Sequence, residues 1–375
     1  MSGTEIFFFI TFFALALYVS ETLLMLYGLT RKFPVHIFAE PPVVTVVVAA
    51  RNEEHNIGRC LDSLTQLDYP PEKLDVIIAD DHSTDRTAAI IQDYAGKFPF
   101  VRYHSVAATA IKGKGNAIDQ AVHLAKGEFI LMTDADCTVQ SSWAKDILKY
   151  FTPRTGLICS TTLPRLSSAA MPLATRLFEK LQSLDWNYLL SMGSAMAGLG
   201  MPGGGIGNNF SFRKAVYMEV GGYEKVAFSV TEDFALFQAI SSTSWKIAYP
   251  LEHETNNTTE PLVTLAELYK QKKRWILGGT EAKAKTMVTF VIGLVTHVAT
   301  ALAFFMLPLP VALAFFAVKM LTDLLFLLTP LSRLRSLELV VFVPLFELYY
   351  YLTLMIIPAM LLFDRKVVWK GRVYS

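Results

Sequence analysis

Two aspartates one residue apart, Asp134 and Asp136, follow the apolar run Phe129–Thr133. Carboxylates at that spacing can share a hard divalent cation, Mg²⁺ or Mn²⁺, with the oxygens of a diphosphate. Such a cation neutralises charge on a departing nucleoside diphosphate. A second pair, Asp80-Asp81, ends another apolar run and leads into His82-Ser83-Thr84-Asp85. Helix capping accounts for Ser83, Thr84 and Asp85. It leaves Asp80 and Asp81 over, and they suit hydrogen bonds from a nucleobase and ribose. Further along stand Thr231-Glu232-Asp233 and Gln271-Lys272-Lys273-Arg274-Trp275. A carboxylate in the first of these could take the proton of an attacking hydroxyl, or Thr231 could simply cap a helix. Arg274 suits bidentate phosphate contact, and Trp275 suits either the site or an interfacial belt beside a membrane.

These residues need a frame, and the intervening pattern supplies one. The β-branched run Val43–Ala50 reads as a strand buried on both faces, and Leu74–Ala79, Phe100–His104 and Phe129–Thr133 read as further strands, Phe100–His104 a short one. Helical spacing separates them at Asn56–Gln66, Thr84–Tyr94 and Gly115–Ala125, and a further helix is expected at Glu232–Ile240. The succession predicts an α/β domain with a mostly parallel sheet and right-handed crossovers. Ligands of such sheets bind beyond the carboxyl ends of the strands, where Arg51-Asn52-Glu53, Asp80-Asp81 and Asp134 to Asp136 all fall. Leu173–Leu190 carries an apolar stripe of Leu177, Leu181, Leu184 and Tyr188, suited to the membrane surface or to the core. Gly198–Gly207 holds six glycines in ten residues and reads as a loop shaping an acceptor pocket.

Composition places this domain at a bilayer. Apolar residues make up 53% of the chain and the mean hydropathy is +0.38, above the ordinary soluble range. The excess lies at the two ends. Residues 5–27 form an anchor interrupted only by Glu21; with no basic residue before it and no cleavage site after it, a signal peptide fits poorly. Arg31 and Lys32 then place residues 40–285 in the cytoplasm, as in a bacterial-type inner membrane. The region 287–362 contains apolar stretches at 287–307, 309–329 and 338–362, the first two joined by Pro308-Leu309-Pro310. A third crossing would strand the basic tail 363–375, with Arg365, Lys366, Lys370 and Arg372, on the wrong side. Pro344, Glu347 and Pro358 suggest a re-entrant or broken last segment, so two or three C-terminal membrane helices are expected. Net charge is +1, which gives no reason to expect a nucleic-acid partner. Cys60, Cys137 and Cys159 form no C-x-x-C pair and read as reduced thiols.

Taken in order, Val46-Val47-Val48-Ala49-Ala50-Arg51-Asn52-Glu53, Ala79-Asp80-Asp81, Lys112-Gly113-Lys114-Gly115-Asn116-Ala117, Thr133-Asp134-Ala135-Asp136, Thr231-Glu232-Asp233 and Gln271-x-x-Arg274-Trp275 resemble the family 2 glycosyltransferases of GT-A (Rossmann-like) fold. The resemblance covers about residues 43–275. It implies inverting transfer from a nucleotide sugar, usually UDP-linked, with Mg²⁺ or Mn²⁺. By the same resemblance Ala50, Arg51, Glu53, Asp80, Asp81 and Lys114 would bind the donor, and Asp134 its ribose or diphosphate. Asp136, with Asp134, would hold the metal. Asp233 would be the general base beside Glu232, and Gln271, Arg274 and Trp275 would close over the diphosphate and acceptor channel. The chain departs from the family wording at His82, where Gly is commoner. His253, between Glu252 and Glu254, is either a third metal ligand or a surface residue. Asn209 and Asn256 head glycosylation sequons, which carry little meaning in a cytoplasmic domain.

The ending Val367-Val368-Trp369-Lys370-Gly371-Arg372-x-Tyr374 looks like the tails of membrane glycosyltransferases related to ceramide, hopanoid and carotenoid glycosylation. That likeness, with few membrane segments, implies one hexose added to a membrane lipid hydroxyl, for instance on a carotenoid or other terpenoid. Alternatives are a processive polysaccharide synthase, a catalytically inactive scaffold, and a nucleotidyltransferase, which would leave the last two motifs unexplained.

Overall fold

The computed structural model describes residues 1–279, 284–361, 367–369 and 372–374, with side chains over 1–279 and 286–355. The chain opens with α1 (Gly3–Thr30), started by a capping box in which Ser2 and Glu5 satisfy each other's backbone N–H. Its 28 residues rise about 42 Å, more than the roughly 30 Å of a hydrocarbon core.

There follow β1 (Val44–Ala50), α2 (Ile57–Thr65), β2 (Leu74–Asp80), α3 (Thr87–Lys97), β3 (Val101–Ser105), α4 (Lys114–Leu124) and β4 (Phe129–Thr133). The four strands are parallel, in the order β3-β2-β1-β4. Alternation along β1 sends Val44, Val46 and Val48 to one face, against Ile57, Leu61 and Leu64 of α2. Val47 turns to the other face, against Ala117, Ile118 and Ala121 of α4. Thr45, buried between them, donates to Asp75 at 2.9 Å, and Arg102 closes on the same carboxylate at 2.7 and 2.8 Å. Strand addition reverses at β1, so a crevice opens between the carboxyl ends of β1 and β4. The expected strands agree within a residue, but α3 begins three residues later than expected. The N–H groups of Thr84 and Arg86, which that helix would have used, bond instead to Asn52 and Glu54 at 2.8 and 3.1 Å.

The second half adds β5 (Cys137–Thr138), α5 (Trp143–Leu148), β6 (Thr155–Cys159), β7 (Thr162–Pro164), α6 (Leu173–Gly198) and β8 (Asn209–Arg213). It continues with α7 (Lys214–Glu219), α8 (Gly222–Lys225), α9 (Glu232–Ser241), β9 (Lys246–Ala248), β10 (Asn257–Thr259) and α10 (Leu265–Gly279). The main sheet extends from β4 through β8 and β6 to β9, with β8 antiparallel to both neighbours. A small sheet orders β5-β10-β7. The stripe on α6 faces inward: Leu181, Leu184 and Tyr188 are buried against Phe326, Leu327 and Phe346 of the last helices. The three cysteines are free and buried, as expected for reduced thiols. Asn209 and Asn256 are buried as well, which removes them as glycosylation acceptors.

The chain ends with α11 (Ala284–Met306), α12 (Leu309–Arg333), α13 (Val343–Leu361) and the ladder β11 (Val367–Trp369) with β12 (Arg372–Tyr374). With α1, this makes four helices among the described residues that are long and apolar enough to cross a membrane. Their outward faces expose residues such as Phe13, Leu17, Phe305 and Leu352. The last of them starts as a 3₁₀ turn over Leu337–Phe342 that runs on into α13 without a gap, so Pro344, the second residue of α13, and Glu347 do not break it. Both its flanks touch the α/β domain, since Arg335 pairs with Glu254 at 2.7 Å before it and β11 packs on α10 after it. The chain thus returns to the side it left. Positions 362–366, 370, 371 and 375, which include Arg365, Lys366 and Lys370 of the expected basic tail, lie outside the described residues.

Ions hold the helices together. Lys319 of α12 is fully buried, 2.7 Å from Asp323 and paired with Glu347 of α13. Tyr18 of α1 donates to Asp323 and meets the Tyr188 hydroxyl of α6 at 2.8 Å. Removing one partner of such a cluster strands the others without water. Lys319→Met should therefore destabilise the detergent-solubilised protein by about 3–5 kcal/mol in equilibrium unfolding. An unchanged midpoint would show that the cluster does not hold the helices.

Candidate active site

The loops beyond β1, β2 and β4 are sewn together by their own polar residues. Arg51 Nη1 donates to the Asp81 carbonyl at 2.6 Å, and Asp81 N–H donates to the Ala50 carbonyl at 2.8 Å. Asn52 and His82 both take left-handed backbone, at φ 52° and 59°. This accounts for glycine being commoner at position 82, since it would sit there without the roughly 1 kcal/mol cost that His82 bears. Asp80 is buried, and its carboxylate accepts the Ser83 N–H and the Tyr103 hydroxyl, both at 3.2 Å. It therefore braces the turn that presents Asp81.

A cavity of about 620 Å³ opens at this edge. Its wall includes Ala50, Arg51, Glu53, Asp81, Lys114, Asp134, Asp136, Glu232, Asp233, Gln271, Arg274 and Trp275. Every expected site residue except Asp80 is thus brought to one space. Lys114, at the start of α4, joins its two halves: Nζ lies 2.6 Å from Asp134 Oδ1 and 3.3 Å from Glu232 Oε1. Burial alone would lower the Lys114 pKa, but Asp134 and then Glu232 outweigh it and raise it. This lysine stays charged.

Asp233 is held by backbone. Its carboxylate accepts Gly207 N–H at 2.5 Å and Phe234 N–H at 2.8 Å, while Thr231 makes no capping bond. A Cβ at Gly207 would lie 2.9 Å from Asp233 Cβ, so the approach requires glycine there. Burial, then the neighbouring Glu232 charge, push Asp233 up to about 6, against the opposing pull of Lys114 and the two N–H groups. Such a carboxylate is ionised at neutral pH and basic enough to accept a proton.

Asp134 and Asp136 fit a divalent cation. Burial, then the charges of Asp134 and Glu53, push Asp136 up to about 6, a repulsion that a cation would relieve. Their oxygens are the hard ligands that Mg²⁺ and Mn²⁺ prefer. Among the described residues no three His, Cys, Asp or Glu side chains group as a metal site, so the remaining ligands would come from substrate and water. The same observation leaves His253 outside any such group; its carbonyl accepts from Gln140.

Sequence reasoning missed what supports the Gln271–Trp275 segment. On α6, Asp185 is buried and pairs with Lys272, while Tyr349 of α13 donates to the same carboxylate at 3.1 Å. Lys272 lies 4.8 Å from the Trp275 ring centroid, and Trp186 meets Trp275 edge-on at 5.1 Å. At the far end of α10, a Cβ on Gly278 would collide with Thr231 Oγ1, so this helix rests directly on the Thr231–Asp233 motif. The available signal was Asp185 itself, an acid amid the buried stripe of a long helix.

The mostly parallel sheet and its carboxyl-edge site define a GT-A architecture. The family description "Glycosyltransferase like family 2" matches residues 41–278, and the chain belongs to that family. It is 29% identical over 240 residues to a beta-monoglucosyldiacylglycerol synthase of Synechocystis sp., covering 64% of this chain and 48% of the relative. It is 26% identical over 244 residues to a poly-beta-1,6-N-acetyl-D-glucosamine synthase of Staphylococcus epidermidis, covering 64% and 55%. The chain thus spans about half the length of these relatives. A solved mannosyltransferase from Pyrobaculum calidifontis, in complex with GDP-Man and Mn²⁺, shares the fold at a TM-score of 0.58 and 18% identity, covering 92% of this chain and 98% of that one.

If Asp185 anchors α10, Asp185→Asn should cost about 2 kcal/mol by weakening a charged buried pair. The loss would be read from thermal unfolding followed by tryptophan emission, since Trp186 and Trp275 report on the contact. Unchanged unfolding would remove Asp185 from this role.

Proposed function

We propose that this protein is an inverting glycosyltransferase moving one hexose from a nucleotide sugar, UDP-linked, to the hydroxyl of an apolar membrane lipid. In this reading residues 40–285 are the transferase domain, between the anchor at 5–27 and the membrane region at 287–362. The observation that carries the proposal is the reach of the cavity: from Asp134, Asp136 and Asp233 it extends to Leu189, Phe290 and Leu354 on α6, α11 and α13. A charged donor and an apolar acceptor can meet in such a space. The similarity to a glucosyldiacylglycerol synthase supports a lipid acceptor; a hydroxylated terpenoid such as a carotenoid rests on the resemblance of the C-terminal tail alone. Arg31 and Lys32 after α1, with the C-terminal ladder back on the α/β domain, support a cytoplasmic site.

Asp81 and Arg51 bind the nucleoside, with Ala50 and Glu53 lining that end and Asp80 bracing it. Lys114 and Arg274 face the diphosphate. Asp136 and Asp134 hold Mg²⁺ or Mn²⁺, which when bound offsets charge developing on the leaving group. Asp233 takes the proton of the acceptor hydroxyl as its oxygen bonds to the sugar C1. The C1–oxygen bond to the diphosphate breaks on the opposite face, and the nucleoside diphosphate leaves with the electron pair. Attack and departure on opposite faces invert the anomeric centre. Glu232 keeps Lys114 beside Asp134, while Gln271 and Trp275 close the site against water.

A second reading, chain elongation, draws on the similarity to the N-acetylglucosamine polymer synthase. Product analysis separates the two: one sugar per lipid supports the first, and a ladder of sizes the second.

Asp233→Asn should lower lipid-dependent transfer by about 10²–10⁴-fold while leaving nucleotide binding intact. In the wild type, kcat/KM should fall about tenfold per unit below pH 6, where Asp233 is protonated and cannot accept a proton, and stay level from there to neutrality. Full transfer by the variant, or a flat acid limb, would dismiss Asp233 as the base. Asp136→Asn should abolish the Mn²⁺ dependence of UDP binding in equilibrium dialysis and weaken binding by about tenfold or more. Binding indifferent to metal in the wild type would contradict the metal assignment.

A further inference from the structure

One acid interrupts the apolar body of α1, and the transferase reading does not use it. Among the described residues the one group that acts on the Glu21 carboxylate is the Thr289 hydroxyl of α11, and no cation answers it. The other acids of the membrane helices are accounted for. Asp323 and Glu347 face Lys319, Glu5 belongs to the capping box of α1, and Glu338 opens the 3₁₀ turn. An ionisable group inside a membrane helix is costly to keep and needs a reason.

Position turns this pair toward the cavity. Tyr18, Glu21 and Thr22 are the α1 residues on its wall, with Thr286, Thr289 and Phe290 on the α11 side. Glu21 and Thr289 are both part-buried, so neither is sealed from a ligand. Leu17 and Leu24, one turn to either side of Glu21, face outward at 57% and 46% exposure. Thr289 draws the carboxylate away from that outward face. The place is fixed, because a Cβ at Gly198 would collide with the Gly28 carbonyl, so the α1 backbone seats directly on the end of α6. One turn before Thr289, Thr286 reaches the Gly203 carbonyl at 3.4 Å, in the glycine loop whose Gly207 holds Asp233.

The neighbouring polar groups are committed or closed off. The Tyr18 hydroxyl bonds to Asp323 and Tyr188, and Thr353 donates to the Tyr350 carbonyl at 3.1 Å. His297 Nε2, Asp323 Oδ2 and Glu347 Oε1 have no hydrogen-bond partner among the described residues, but they are buried around Lys319, as is the face of the Tyr350 ring that Lys319 covers at 5.6 Å. Glu21 differs from these in keeping both surface and capacity. A carboxylate has about four acceptor positions, and one hydroxyl fills one of them.

We propose that Glu21 accepts a hydrogen bond from a hydroxyl of the acceptor lipid other than the one that receives the sugar. This inference rests on the reading of the cavity as the acceptor site. Glu21 then selects lipids with two hydroxyls over lipids with one.

The test uses the full-length protein in detergent. Its probes are tritiated 1-dodecanol and 1,2-, 1,6- and 1,12-dodecanediol, so that the spacing of the two hydroxyls is read and not assumed. Equilibrium dialysis gives affinities for the wild type, Glu21→Leu and Glu21→Gln, and variant-to-wild-type ratios cancel partition into micelles. Leu removes the acceptor; Gln keeps an acceptor oxygen at the same reach. At least one diol should bind the Leu variant about tenfold more weakly, the scale of one hydrogen bond to a charged group, with 1-dodecanol unchanged. The Gln variant should recover part of that loss for the same diol. A carboxylate merely bathed in cavity water would leave every ratio near one, and that result would overturn the proposal. Equal losses for all four alcohols, or no binding of any diol to the wild type, would overturn it too. Nucleotide release from the donor, measured on the same wild-type preparation without acceptor, tests the transferase reading separately. Release without Glu21-dependent diol binding would sink Glu21 alone.

Discussion

Seven carboxylates gather at or beside one end of the sheet: Glu53, Asp80, Asp81, Asp134, Asp136, Glu232 and Asp233. Like charges in a partly dry crevice repel, and the fold must answer that repulsion before any substrate arrives. One answer is a shared ammonium. Lys114 sits between Asp134 on the β4 side and Glu232 at the head of α9, so the two halves of the cavity share a counter-charge. Arg51 lies 3.9 Å from the Asp81 carboxylate. Other devices serve as well. Asp80 is absorbed by Ser83 and Tyr103, and Asp233 by two backbone N–H groups. Asp136 stays raised, first by burial and then by the charges of Asp134 and Glu53, which a cation would offset.

The other half of the arrangement is a chain of contacts from the sheet to the membrane. Asp185 and Trp186 on α6 hold Lys272 and Trp275 of α10, and Tyr349 of α13 shares Asp185. Three turns of α6 further on, Ala195 and Met196 pack with Met25 and Leu29 of α1. α6 is therefore the spine to which the Gln271–Trp275 motif and the membrane helices both attach. Movement of α13 against α6 would be felt at Trp275 through Asp185, with no loop between them to absorb it.

Much of this was legible in the sequence, for physical reasons that differ by element. β1, β2 and β4 announced themselves because strands buried on both faces are largely continuous apolar runs; β3, the edge strand with Arg102 and His104, was legible from its place between two helical segments. The motif residues were legible because carboxylates and arginine at strand ends have few structural uses. Capping was the rival explanation; the structure gives Asp80 to the Ser83 N–H, and Asp233 to the Gly207 N–H of the glycine loop as well as to the Phe234 N–H in the first turn of α9. The boundary of α3 was misplaced because side chains from another loop, Asn52 and Glu54, took the N–H groups that local sequence would have given to the helix. Nothing local predicts such long-range capping. The direction of the α6 stripe was ambiguous for a similar reason: a core face and a membrane face ask for the same residues. The parity of the last segments was undecidable without knowing that β11 returns to α10.

Under the proposed reading, placing transfer at this boundary follows from the two substrates. The donor carries charges that must stay hydrated until bound, whereas a lipid acceptor would be most stable in hydrocarbon. Drawing either fully into the other's medium would be expensive, several kcal/mol for a buried ion after relaxation. A cavity that is carboxylate-lined at the sheet edge and lined by Leu, Phe and Tyr between the helices avoids both penalties. It also sets the environment of the proposed base. Burial raises the proton affinity of Asp233. Gly207 and Lys114 limit the rise so that it remains ionised near neutral pH. Fully dry, the carboxylate would be neutral and unable to accept a proton; freely solvated, it would be a weaker base. The glycine loop, by letting the Gly207 N–H reach it, holds Asp233 between those limits.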